Sequence, residues 1–306
     1  MKEIKNVLIC GIGAVGSIYA DKINNYDSKN LRVLVDKKRL ENYTKHPKTF
    51  NGKPLVFNYI LPECKDFKAD LIIIATKFDG LDTAIKNIEN FVKDDTIIIS
   101  LLNGVTSEEI IARKYGWQHT LISYFIGHSA MRNSSEITHD GVGDIVFGIK
   151  DVSKTDIEDV LRVKEFFDRV CISYKTPDDM LHAYWLKFML NVSSNQPSAI
   201  FGMTFGQMQQ NEKFIEFSKK IMQEVQAVAK ACGVQNTETM IYEALHSFNK
   251  MIPDGKTSML QDIEARRKTE VEMFAGTVIE LGAKHNIPTP YNIVLKDMIE
   301  VIENDF

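Results

Sequence analysis

The feature that most constrains this chain lies close to its N-terminus. Val7-Leu8-Ile9-Cys10 is a continuous apolar run, and Gly11-Ile12-Gly13-Ala14-Val15-Gly16 follows it directly. An apolar run without alternation suits a strand buried on both faces, the habit of parallel sheets. From Ala14 to about Asn24 the pattern is helical. A complete G-x-G-x-x-G set between a buried strand and a helix is the fingerprint of a dinucleotide-binding βα turn. Its first glycine permits the tight turn. The second lets backbone approach a pyrophosphate, and the third lets helix and strand pack closely. The phosphates then meet free N–H groups at a helix N-terminus, where the dipole favours negative charge. Gly11, Ile12, Gly13, Ala14, Val15 and Gly16 are therefore expected to hold a nicotinamide dinucleotide.

The pattern beyond the loop supports the same architecture. Strands are predicted at 31–35, 71–75 and 97–101, and helices at 37–45, 80–92 and 106–115. Thr106 and Glu109 have capping-box spacing. Phe50-Asn51-Gly52-Lys53 reads as a tight hairpin turn between two short strands. This βαβα order predicts an α/β fold with a doubly wound, Rossmann-like parallel sheet and helices on both faces. Strand-like segments continue at 121–127, 136–139 and 145–149, followed by a helix at 158–170 and a last strand at 172–174. After Pro177 strand patterning disappears and helical periodicity takes over. The chain of 306 residues thus divides into a dinucleotide-binding domain, 1–176, and an all-helical substrate and catalytic domain, 177–306.

Bulk properties narrow the function classes. A formal net charge of -4 offers no basic field for nucleic acid or an anionic membrane. No apolar run approaches the length of a bilayer span, and the N-terminus lacks a signal-peptide layout. Cys10, Cys64, Cys171 and Cys232 form no close pair, so reduced thiols are expected and no metal site. The expectation is a cytoplasmic enzyme with a small-molecule partner.

Several polar residues stand where chemistry is expected. Asp36 closes the second strand, the usual place of the acid that accepts from the adenosine ribose, which favours NAD. Lys37, Lys38 and Arg39 follow at once and could instead hold a 2′-phosphate. Ligands in open α/β sheets bind beyond the carboxyl ends of strands. Lys77 and Asn103 occupy two such ends. In the second domain Lys187, Asn191 and Asn195 recur at helical spacing and share one face. A lysine and two asparagines on a mostly apolar helix need partners, which suggests a proton donor beside two substrate-binding amides. Ser258 with Gln261 has capping-box spacing. Glu270 lies four residues beyond Arg266, within reach of a surface ion pair.

These pieces together resemble the ketopantoate reductase (2-dehydropantoate 2-reductase) family over nearly the whole chain. The matching segments are GIGAVG at 11–16, Thr76-Lys77, Leu102-Asn103-Gly104, WLKFMLNVSSN at 185–195 and SMLQDIEARRKTE at 258–270. The resemblance implies NADPH-dependent reduction of 2-dehydropantoate to D-pantoate, in pantothenate biosynthesis. It makes Lys187 the general acid, and Asn103, Asn191, Asn195 and Ser258 the substrate-binding groups. It adds Lys77, Ala130 and Glu270 to the cofactor contacts, places Asn103 between cofactor and substrate so that it serves both, and suggests a homodimer. Two positions depart from the family pattern. Asp36 and Lys37 stand where an arginine for the 2′-phosphate is common, which admits NADH. Phe205 stands where many members carry a substrate asparagine. Both departures suit an alternative, an NAD-dependent D-2-hydroxyacid dehydrogenase acting on a branched or aromatic 2-keto acid. A competitor of another class is a dinucleotide-sensing regulator without catalysis.

Overall fold

Four consecutive apolar residues suit a strand covered on both faces, and β1 (Val7–Cys10) is buried along its whole length. It leads into α1 (Ala14–Asp27), β2 (Leu31–Leu34) and α2 (Lys37–Lys45). Next come a hairpin of β3 (Thr49–Phe50) and β4 (Lys53–Pro54), β5 (Tyr59–Ile60), β6 (Leu71–Ile74), α3 (Leu81–Asn87), β7 (Ile97–Ser100) and α4 (Ser107–Tyr115). The computed structural model describes residues 1–127, 131–133, 136–138, 143–151, 153 and 155–306.

Five strands form one parallel sheet in the order β5-β2-β1-β6-β7. The chain builds outward from β1 in one direction and then returns to its other side at β6. Right-handed crossovers therefore place α1 and α3 on opposite faces, and the switch point lies between β1 and β6. Leu71, Ile72, Ile73 and Ile74 are completely buried, as are Val7, Leu8 and Ile9. The fold is the expected Rossmann-like one. The hairpin turn also forms, with Asn51 and Gly52 both left-handed (φ 47° and 77°), as a two-residue loop between twisted strands requires.

The later strands are additions of mixed direction. They are β8 (Ile122–Gly127), β9 (Met131–Asn133), β10 (Glu136–Thr138) and β11 (Gly143–Gly148), then α5 (Ile157–Arg169) and β12 (Tyr174–Lys175). β11 pairs antiparallel with β8 and parallel with β12. β10 lies parallel to β3 and antiparallel to β9.

Two expectations for helices of the first unit fail. The helix expected at 80–92 is interrupted: α3 is flanked by 3₁₀ turns at Phe78–Gly80 and Glu89–Phe91. Ile88 and Phe91 are both fully buried, and a three-residue repeat puts both on the core side. The Thr106–Glu109 capping box is absent. Thr106 has helical dihedrals (φ −118°, ψ −17°) and makes no capping bond, while Glu109 pairs with Lys150.

The chain divides into two compact units, Met1–Met180 and Leu181–Phe306. The second contains α6 (Met180–Phe201), which starts on the last residue of the first, α7 (Phe205–Gln209), α8 (Glu212–Ala231), α9 (Met240–Phe248), α10 (Ser258–Glu264), α11 (Thr277–Lys284) and α12 (Pro290–Glu303). All strands among the described residues lie in the first unit. Pro197 sits inside α6 and cannot donate to Ser193. The freed Ser193 carbonyl instead accepts from the Ser218 hydroxyl of α8 at 3.0 Å. Glu224 caps α12 by accepting from the N–H groups of Tyr291 (2.7 Å) and Asn292 (3.1 Å). No helix among the described residues is long and apolar enough to cross a membrane.

Candidate active site

The glycine loop explains itself residue by residue. Gly11 has φ +98°, and a Cβ there would fall 2.6 Å from the Ala75 carbonyl oxygen. The β1 loop therefore presses against the end of β6 at the switch point. A Cβ on Gly16 would fall 2.0 Å from the Gly11 carbonyl oxygen, so α1 can pack on its strand only with glycine there. Gly13 is different. An added Cβ would meet nothing within 4 Å, and its dihedrals (φ −74°, ψ −160°) are open to any residue. The fold gives no reason for glycine at this position, while a ligand lying against the backbone does. Gly13 is the N-cap of α1, whose first turn carries no acid, and the first N–H groups of a helix have no intrahelical partner. These observations fit a dinucleotide pyrophosphate.

One neighbour of the loop gave no sign in the sequence. Lys48 is 6% exposed and donates from Nζ to the Ile12 carbonyl at 2.5 Å. A single lysine before a short strand carries no pattern that would single it out.

Asp36 lies at the end of β2 and is exposed. It N-caps α2, its carboxylate accepting from the Arg39 N–H at 2.6 Å, and the Arg39 guanidinium lies 3.4 Å away. Lys37 pairs with Glu63 at 3.4 Å. Lys77 follows β6, is exposed, and caps the 3₁₀ turn Phe78–Gly80. Asn103 follows β7 and is half-buried. The loop bearing Asn103 rests on a buried network that sequence reading missed. Ser100 Oγ donates to Ser107 Oγ (3.0 Å), and Ser107 Oγ donates to Glu108 (2.8 Å). Ser123 Oγ donates to the Ser100 carbonyl (2.7 Å). Only pairing across three elements makes these residues meaningful. Ala130 lies outside the described residues.

In the second unit α6 carries Lys187, Asn191 and Asn195 on one face. Asn191 is 7% and Asn195 6% exposed. Lys187 has no hydrogen-bond or ion-pair partner among the described residues. Burial pushes its ammonium down to about 8, since desolvation disfavours the charged form. Ser258 does not cap α10, as its spacing suggested. Thr257 does, accepting from the Leu260 N–H at 3.2 Å. Ser258 is thereby the first helical residue and donates its hydroxyl to Asn195 Oδ1 at 3.0 Å. The Met259 N–H also points at Oδ1, at 3.4 Å. Glu270 is half-buried and opens the turn into Glu272–Gly276. Arg266 turns away from it, to the Asp305 carbonyl and the Phe306 ring. Phe205 begins α7 behind a capping box of Thr204 and Gln207. Its ring packs edge-on to Phe248 at 6.2 Å, in a cluster with Leu190, Met208 and Phe214.

A glycine loop at a helix N-terminus in the first unit, and in the second a lysine of lowered pKa on one helix face with two asparagines, suit a nicotinamide-dependent reductase. Residues 7–151 match the family described as ketopantoate reductase PanE/ApbA, and residues 179–303 match its C-terminal region. The chain belongs to the ketopantoate reductase family. The family consists of nicotinamide-dependent oxidoreductases acting on 2-keto acids. Among curated relatives, the chain is 23% identical over 300 residues to a 2-dehydropantoate 2-reductase of Pyrococcus horikoshii, covering 97% of each chain. Among solved structures it resembles D-mandelate dehydrogenase bound to NADH and anilino(oxo)acetate (TM-score 0.85, 21% identity, 98% and 99% covered). It also resembles a dimeric ketopantoate reductase from Staphylococcus aureus (TM-score 0.76, 20% identity, 98% and 99% covered).

Proposed function

We propose that this chain reduces 2-dehydropantoate to D-pantoate, a cytoplasmic step of pantothenate biosynthesis. The observation that carries the reading is the α6 face, where Lys187, with its lowered pKa, shares a helix side with Asn191 and Asn195. When bound, the nicotinamide supplies a hydride to the ketone carbon. Lys187 gives its ammonium proton to the oxygen on which negative charge develops. A donor poised near 8 releases that proton more readily than an ordinary lysine and is still mostly charged at neutral pH. Asn195 Nδ2 has no hydrogen-bond partner among the described residues, and its two N–H donors suit a substrate carboxylate or carbonyl. Asn191 and Ser258 hold the substrate beside it, and Asn103 adds a further amide. A protein that only sensed dinucleotides would have no use for this set.

The loop at residues 11–16, with Lys77 and Glu270, serves the cofactor in this reading. NADPH is the family expectation. Asp36 supports NADH as well, since a carboxylate at the end of β2 accepts from a ribose hydroxyl and repels a 2′-phosphate. Two of the neighbouring cations, Lys37 and Arg39, already face carboxylates.

A second reading is a D-2-hydroxyacid dehydrogenase for a branched or aromatic 2-keto acid. Phe205 favours it, because its ring joins an apolar cluster and cannot hydrogen-bond a substrate hydroxyl. The deciding experiment follows oxidation of NADPH and of NADH with 2-dehydropantoate, 2-ketoisovalerate and phenylglyoxylate. Turnover that favours 2-dehydropantoate supports the first reading. Turnover confined to the other two acids replaces it with the second. A homodimer is part of the proposal, and light scattering of the purified protein measures it directly.

A further inference from the structure

Lys48 has no role in the chemistry described above, yet it is almost fully buried, and a buried ammonium is costly unless it is hydrogen-bonded. It is held at several points. Nζ donates to the Ile12 carbonyl at 2.5 Å and lies 4.8 Å from the centre of the Tyr43 ring. Its own carbonyl accepts from the Leu55 N–H at 2.7 Å. The residue therefore fastens the turn before β3 to the middle of the glycine loop.

The consequence follows from peptide geometry. The Ile12 carbonyl and the Gly13 N–H belong to one planar trans unit and point in opposite directions. Holding the carbonyl on the Lys48 side turns the Gly13 N–H to the other side. Gly13 itself borders open space. Its carbonyl accepts from the Ser17 N–H at 3.1 Å, the first turn of α1. The Gly13 N–H thus joins the unpaired N–H groups at the start of α1.

We propose that Lys48 is a positioning residue for the dinucleotide. It fixes the Ile12–Gly13 peptide so that the N–H faces the pyrophosphate, and it sets a positive charge behind that peptide. The proposal rests on the dinucleotide reading of the loop but not on the keto acid. Hydrogen bonds involving a charged group contribute about 1.5–3 kcal/mol, which corresponds to about 10–100-fold in affinity.

The test is direct titration of the purified full chain with NADH and NADPH, without keto acid, followed by steady-state kinetics. The variants are Lys48→Met, Lys48→Gln and Lys48→Arg. Lys48→Met is expected to weaken dinucleotide binding about 10–100-fold and to flatten its salt dependence. The kcat at saturating cofactor and the keto-acid KM are expected to stay within about threefold. Lys48→Gln keeps a donor without the charge and is expected to fall between wild type and Lys48→Met. Lys48→Arg is expected to recover most of the affinity. Dinucleotide affinity within twofold of wild type in Lys48→Met overturns the proposal. A parallel loss of melting temperature, kcat and both KM values also overturns it, because that is the signature of a purely structural lysine. If Lys48→Met fails to fold, the same criteria apply to Lys48→Gln. A wild-type chain that binds neither dinucleotide defeats the dinucleotide reading itself, an outcome distinct from all of these.

Discussion

The Ser258 hydroxyl donates to the side-chain carbonyl of Asn195 across 3.0 Å, joining the first residue of α10 to the buried face of α6. The Met259 N–H aims at the same oxygen, and a backbone N–H can only donate. The Asn195 amide is therefore oriented, with its carbonyl toward α10 and its two N–H donors turned away.

Ser258→Ala removes one of the two groups that hold this orientation. The serine is exposed and caps nothing, so stability is expected to change by less than about 0.5 kcal/mol. kcat/KM for the keto acid is expected to fall about 5–30-fold, the worth of about 1–2 kcal/mol of lost positioning. Steady-state kinetics beside a thermal melt separates the two effects.

Replacing Lys187 opposes activity and stability. Lys187→Met removes the proposed proton donor and is expected to lower the rate of keto-acid reduction by about two to four orders of magnitude. It also removes an ammonium whose burial is unfavourable. The melting temperature at pH 7 is expected to rise by about 2–4 °C. An unchanged rate would sink the assignment of Lys187 as the acid.

The proposed role of the same lysine predicts a pH dependence. Its folded pKa is lowered to about 8 from the ordinary 10.5. In the proposed mechanism reduction needs the ammonium, so its rate is expected to hold below pH 8 and to fall above it. Oxidation of the hydroxy acid needs the neutral amine and is expected to rise across the same range. Between pH 8 and 10.5 the unfolded chain binds more protons at this site, so its contribution to stability rises with pH there. A pH series of forward rates, reverse rates and melts on wild type and Lys187→Met checks all three.

Two glycines in one loop should answer differently to a single methyl group. Gly13→Ala meets open space at allowed dihedrals and is expected to leave the fold intact, with stability within about 1 kcal/mol, because the smaller unfolded-state entropy is offset by alanine being a poorer N-cap than glycine. Its methyl group stands where the pyrophosphate would approach, so dinucleotide affinity is expected to drop. Gly16→Ala drives a carbon into the Gly11 carbonyl and is expected to cost more than about 2 kcal/mol. Chemical denaturation and cofactor titration on both variants decide the point.

Asp36 caps α2 and is the proposed determinant of cofactor choice. Asp36→Ala removes the cap of α2, with an expected cost of about 1 kcal/mol. It also removes the carboxylate that would accept from a ribose hydroxyl and leaves Arg39 and Lys37 in place. The ratio of KM for NADPH to KM for NADH is expected to fall by about tenfold or more. A ratio that does not move would remove Asp36 from the cofactor site.

The sheet and its glycine loop were legible because the signals are local. A run such as Leu71-Ile72-Ile73-Ile74 has one comfortable place, the centre of a parallel sheet, and Gly11 and Gly16 are demanded by contacts with near neighbours of β1. The face of Lys187, Asn191 and Asn195 was equally readable, since helical spacing alone aligns it. Capping was not. Thr106 and Ser258 both carry the right spacing, but the dihedrals of Thr106 and the presence of Thr257 before Ser258 assign the caps otherwise.

By itself, then, the sequence determined the Rossmann-like first half, the helical second half and the residue types available for hydride-transfer chemistry. All of these follow from periodicity and from glycine's lack of a Cβ. Only the tertiary structure decided which groups those residues meet. The Lys48 ammonium on the Ile12 carbonyl, the serine network under Asn103, the orientation of Asn195 by Ser258 and the acidity of Lys187 join residues far apart in the chain or depend on burial. Neither a contact between distant segments nor exclusion from water leaves any periodic trace in a sequence.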